Sequence, residues 1–130
     1  MTLSELLQSL PGPRTVENAR AWLEQEITVT DDTPVTARGV MARLSVEDAA
    51  TVFATLRTAA ASNSLVAEGL EMLRLSGLDF SHHNMRAMVD SLFPVELATK
   101  VKALGEKTIA RWQQVDGLSR LKDGYILEAL

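Results

Sequence analysis

Apolar positions recur at spacings of three and four along most of the chain, the pattern of helices that bury one face. Leu3, Leu6, Leu7 and Leu10 open it behind Thr2 and Glu5 at capping-box spacing, and Pro11-Gly12-Pro13 ends that first short helix. Thr15 is placed to cap a second helix, with Val16, Ala19, Trp22, Leu23 and Ile27 as its buried stripe. Thr33-Pro34 predicts another start, with Pro34 at the first helical position of a helix from Val35 to Leu44. Ser45 and Asp48 open a longer helix that would bury Val46, Ala49, Ala50, Phe53, Leu56 and Ala60. Ser62-Asn63-Ser64 interrupts it. A helix over 65–76 then carries Leu65, Val66, Leu70 and Leu73 up to Gly77. Asp79-Phe80-Ser81 begins the next, with Met85, Met88, Val89 and Leu92 as its stripe and Ser81 as its cap. Beyond Phe93-Pro94, a helix over 95–104 presents Leu97, Ala98, Val101 and Leu104. A turn around Ile109–Val115, an irregular stretch Leu118–Lys122 and a last turn Gly124–Leu130 behind Asp123 complete the chain.

Only residues 27–34, Ile-Thr-Val-Thr-Asp-Asp-Thr-Pro, alternate β-branched residues and lead into a turn, which predicts a short extended segment near 27–31. Nothing else in the pattern is an evident partner for it, so it reads as a loop or as an edge strand in an oligomer. The expectation is an all-α fold, a compact bundle of about six to seven short helices, in a single helical domain over 1–130. Connections of about two to six residues are usual between packed helices.

Composition narrows the chemistry. Apolar residues make up 46% of the 130 residues, enough for a real core, and with six aromatic residues that core must be mostly aliphatic. A net charge of −4 opposes binding to phosphate backbones and anionic lipid. There is no cysteine, which removes disulfides and thiolate metal sites. The first residues, Met1-Thr2-Leu3-Ser4-Glu5, lack the charged start and apolar run of a signal peptide. No stretch approaches the roughly 20 apolar residues of a membrane span. The expected location is cytoplasmic, with no membrane association.

Candidate sites are few. His82-His83 with Asp79 invites a metal reading, but adjacent helical residues point about 100° apart and zinc takes three or four ligands. Glu24, Glu26, Asp31 and Asp32 lack the glycine and terminal glutamate of a calcium loop, and Thr33-Pro34 stands where that loop would continue. Asp90 and Glu96 flank Pro94 as a possible carboxylate pair, more simply read as solvated. No nucleophile, phosphate-loop or dinucleotide motif occurs. The expectation is therefore no catalytic residue, no metal and no cofactor. Lys100, Lys102, Lys107 and Arg111 form a mildly basic stretch interleaved with Glu96 and Glu106, read as a solvated face.

Residues 35–57 look like the two helices of a helix-turn-helix, but the end that would meet base edges carries Glu47 and Asp48. Nucleic acid is accordingly not the expected partner, and a DNA-binding regulator using this unit is the alternative reading. The C-terminal third points elsewhere. It is rich in apolar residues on helices too short to stand alone, and it finishes on Leu127-Glu128-Ala129-Leu130. Trp112, Leu121, Tyr125 and Ile126 are the candidate contacts for a protein partner or a second copy, with Trp112 and Tyr125 as anchors. The competing explanation is that this segment only completes the core.

The order Leu78-Asp79-Phe80-Ser81, Met88-Val89-Asp90, Ala103-Leu104-Gly105, Thr108-Ile109-Ala110-Arg111-Trp112 and a closing helix from Gly124 and Tyr125 resembles small helical proteins encoded by tailed bacteriophages and prophages. The resemblance covers residues 65–130. It implies a phage or prophage accessory, virion or assembly component made in bacterial cytoplasm, virion-associated or free, and it brings no catalytic residues. With it, the expected function is non-enzymatic and works by protein–protein contact. A small hydrolase or ligand-binding protein is the third class.

Overall fold

The structure, a computed structural model, describes all residues from Met1 to Leu130. It is helix-rich, with eight α-helices rather than six to seven, and it contains a two-stranded sheet, so it is not purely helical. In chain order the elements are α1 (Leu3–Leu7), α2 (Val16–Leu23), β1 (Glu26–Thr30), α3 (Ala37–Arg43), α4 (Val46–Ala60), α5 (Ser64–Leu75), α6 (His83–Leu92), α7 (Val95–Lys102), β2 (Glu106–Ala110) and α8 (Asp123–Ala129). Short 3₁₀ turns at Ala103–Gly105 and Arg111–Gln114 flank β2.

The expected extended segment does have an intrachain partner. Asp31 N–H donates to the Gly105 carbonyl at 2.7 Å, and Arg111 N–H donates to the Gln25 carbonyl at 2.9 Å. These two bonds run β1 and β2 antiparallel and set Ile27 opposite Ile109. The segment containing Ile109, expected as a turn, is a strand up to Ala110.

The chain forms two compact units, Met1–Val29 with Thr108–Leu130, and Thr30–Lys107. In the Thr30–Lys107 unit, Val40, Val52, Leu73, Phe80, Val89, Phe93 and Val101 belong to one buried cluster drawn from α3 to α7. Several helix starts follow the local chemistry. Ser45 Oγ accepts from Asp48 N–H at 3.1 Å, and Asn63 Oδ1 accepts from Leu65 and Val66 N–H. Gly77 adopts φ +91° and returns its N–H to the Met72 carbonyl, closing α5.

Two starts differ from the expected ones. Pro34 does not begin α3, because Val35 exchanges backbone hydrogen bonds with Leu78 in an antiparallel bridge, and Thr36 caps the helix instead. Ser81 does not cap α6, because its N–H and hydroxyl both donate to Asp79 Oδ1. His82 takes the cap, its Nδ1 accepting from Asn84 N–H. One glycine is imposed by packing: a Cβ on Gly105 would lie 2.3 Å from the Phe80 carbonyl carbon.

In the unit of Met1–Val29 and Thr108–Leu130, Leu7, Leu23 and Ile126 are fully enclosed, with Leu6, Ala19 and Val115 around them. Its helices have 5, 8 and 7 residues, too few to hold helical form by propensity alone. Arginines tie them. Arg20 donates to Asp123 at 2.6 Å and to Glu24 at 2.7 Å. Arg111 donates to the Trp22 carbonyl at 2.7 Å and to Gln25 Oε1 at 2.8 Å, with its guanidinium 4.3 Å from the Trp22 ring centre. Asp123, expected as the cap of α8, is its first residue and serves Arg20 instead.

Candidate functional site

The residues expected to meet a partner separate in the structure. Ile126 is fully enclosed and has no surface to offer a partner while its unit is folded. Trp112 and Leu121 are partly buried, packed against the same cluster of aliphatic side chains. Tyr125 alone of the four is exposed, at 42%, with the Lys122 ammonium 5.5 Å from its ring centre. The side chains of the C-terminal segment are thus largely covered by its own unit.

The titratable candidates also disperse. His82 and His83 stack with ring centres 4.6 Å apart on the exposed first turn of α6. No three His, Asp or Glu side chains gather as a metal site anywhere in the chain. Asp31 accepts from Thr33 N–H and Oγ1, and those bonds hold its carboxyl below the ordinary value. Asp90, considered with Glu96, pairs with Lys102 at 2.8 Å. In the helix-turn-helix-like segment, Asp48 is held ionised by Lys100 at 3.0 Å, with Ser45 assisting. Arg43 spends its guanidinium on the Leu104 and Ala103 carbonyls. Carboxylates therefore remain at the start of α4, and one of the three arginines of this segment is committed elsewhere.

A surface that the chain pattern did not single out lies on α5. Val66, Leu70 and Leu73 are buried, but Leu65, Met72 and Leu75 are 64%, 49% and 75% exposed. At about 100° per residue the second set occupies its own stripe, centred roughly 140° around the helix from the first. Leu65, which the spacing of the chain assigns to the core stripe, belongs to the exposed one. Val46 was likewise expected inside and is 86% exposed, while Val52 takes the buried place.

Beside this stripe runs an open groove of about 410 Å³ between α5 and the start of α6. Leu65, Met72, Met85 and Met88 give it apolar walls, Gly69 lies along it on α5, and Glu68, Asp79 and His82 stand among its polar residues. Glu68 takes part in none of the six ion pairs of the chain. Hydrogen bonds from the Ser81 hydroxyl and N–H keep the Asp79 carboxyl below its ordinary range, so it is anionic at neutral pH. Gly69, Met85 and Met88 also line a small apolar cavity of about 30 Å³ in the core. Flexible thioethers thus separate groove from core, a lining that can repack around a bound side chain.

The sequence did hold a signal for this surface. Leu65, Met72 and Leu75 give α5 more apolar positions than one buried face needs, and Gly69 interrupts an otherwise strong helix former. Compared with known proteins, the chain matches no family model, no curated protein and no solved structure. No helix is long and apolar enough to cross a membrane.

Proposed function

We propose that this protein is a non-catalytic binding module that receives a segment of another protein in the groove between α5 and α6. The observation that carries the reading is the second apolar stripe of α5, exposed beside a methionine-walled groove. Such an arrangement suits an inserted helix, which needs an apolar trough and adaptable walls rather than a preorganised polar centre. The resemblance of residues 65–130 to phage and prophage helical proteins belongs to the same proposal, and it makes the setting an accessory, virion or assembly role in a bacterial host.

Photoreactive methionine incorporated throughout the chain tests the reading, because Met41 is 58% exposed and lies outside the groove. After irradiation in extract of the host cell, polypeptide adducts are expected at Met72, Met85 and Met88 in excess of Met41. Adduct yields no higher than at Met41 would remove the groove as a docking site.

The DNA-binding alternative at residues 35–57 has less support, since Glu47 and Asp48 open α4 where phosphate and base contacts would fall. Submicromolar binding to duplex DNA at physiological salt, with a steep salt dependence, would favour it over the groove.

A further inference from the structure

We infer that the occupant of the α5–α6 groove is a cationic amphipathic helix, an assignment that rests on the docking role proposed above. Charge makes the first argument. The only formally charged side chains lining the groove are Glu68 and Asp79, and no lysine or arginine lines it. Three cations of the same unit pair elsewhere, Arg86 with Glu106, Lys100 with Asp48 and Lys102 with Asp90, and none of them lines the groove. Glu68 and Asp79 are in no ion pair. A partner with apolar residues on one face and lysine or arginine along its edge would meet both the trough and the two carboxylates.

Gly69 makes the second argument. A Cβ built there meets nothing within 4 Å, so the fold itself does not require glycine. Glycine inside a helix weakens it relative to alanine. Its bare backbone in the trough lets a partner's side chain approach α5 closely. The 12 residues of α5 run about 18 Å, enough to face three turns of a bound helix.

A second copy of this chain is the poorer occupant. The exposed apolar residues of its own α8, Tyr125 and Leu127, share a short helix that carries no cation, only Asp123, already paired with Arg20, and Glu128, so α8 brings no countercharge to Glu68 and Asp79. An anionic membrane surface is disfavoured by the same two carboxylates.

The test uses the whole protein and two fluorescent peptides of about 18 residues, one built from leucine and lysine as an amphipathic helix, the other with glutamate for every lysine. Binding is read by anisotropy and located by the methyl signals of Met72, Met85 and Met88. The lysine peptide is expected to bind and shift those methyls, and the glutamate peptide to bind at least about tenfold more weakly. The preference should shrink with added salt. Glu68→Gln with Asp79→Asn should remove it, and Gly69→Leu should abolish binding while the circular dichroism spectrum stays helical. Equal binding of the two peptides at the groove would overturn the cationic assignment and leave the docking role standing. Failure of both peptides to bind, or binding that Gly69→Leu leaves untouched, would overturn the inference. The photoadduct pattern at Met72, Met85 and Met88 then decides separately whether the groove docks any partner. A concentration-dependent dimer lost in Gly69→Leu would replace the cationic helix with a second copy.

Discussion

The two units hold together by different means. Thr30–Lys107 is one continuous stretch whose α4 and α5, of 15 and 12 residues, each carry their own caps. The other unit joins the two ends of the chain, so contacts such as Arg20 with Asp123 close a separation of 103 residues. Closing such a loop costs entropy before any contact repays it. That unit's small helices are secured by buried leucines and by arginines bound to carbonyls and carboxylates. Slack appears on the other side. Leu65, Met72 and Leu75 can stay exposed on one helix because Val66, Leu70 and Leu73 already anchor it. A locally robust helix can present a spare apolar face, whereas a unit made of marginal helices uses most of its apolar side chains to exist.

The largest effect should come from the tightest contact. Gly105→Ala would place a Cβ against the Phe80 backbone, which cannot swing aside like a side chain. We expect a loss of about 3–5 kcal/mol, measured by chemical denaturation, with the Thr30–Lys107 unit bearing it. A loss under about 1 kcal/mol would show that this backbone approach is not a constraint.

Ile126→Ala is expected to cost about 3 kcal/mol, since the side chain is fully enclosed. Its sharper use is spatial. Hydrogen exchange should accelerate in α1, α2 and α8 while α4 and α5 keep their protection. Uniform acceleration over all helices would mean that the units do not differ in independence, and the contrast between them would fail.

Gly69→Ala should stabilise the chain by about 1 kcal/mol, because the added methyl meets open space and alanine favours the helix. The same variant should weaken peptide binding in the groove. A variant that is both more stable and unchanged in binding would remove Gly69 from the argument for docking.

The smallest effect concerns pH. The Met1 ammonium donates to Asp116 at 2.6 Å, which raises the amine above its ordinary value of 8.0 and lowers the carboxyl below 3.8. The raised amine contributes fully below pH 8.0, and that contribution fades as pH rises through its folded value. The lowered carboxyl contributes above pH 3.8 and is lost as pH falls through its folded value. Asp48 and Asp79 share only the acid limb. Mild alkali above pH 8.0 should therefore loosen the Met1 contact while the Asp48–Lys100 pair persists, followed by chemical shifts of nearby amides. Because both partners of the Met1 contact are exposed, a large fall in melting temperature with Asp116→Asn would contradict this ordering.

Much of the helical framework was legible because its signals are local. Thr2, Thr15, Ser45 and Asn63 cap the helices they precede, and Gly77 ends α5, each through a bond spanning a few residues. Side-chain chemistry at that range is written into the order of residues. The candidate site was only half legible. The apolar positions of α5 were visible, but placing Leu65 outside the core required knowing which stripe a neighbour would cover.

What the order of residues determined by itself was therefore the helical class, most starts and stops, and an acidic chain without a motif for phosphate, thiolate or nucleophile chemistry. What only the tertiary structure decided was everything carried by partners far away in sequence. The strand at Glu26–Thr30 exists because Glu106–Ala110 returns beside it. α3 starts at Ala37 because Leu78 holds Val35 extended. Ile126 is core rather than contact surface because α1 and α2 enclose it from the other end of the chain. A hydrophobic stripe says that a face must be covered. It carries no information on which element does the covering, since burial is non-directional and proportional to area alone.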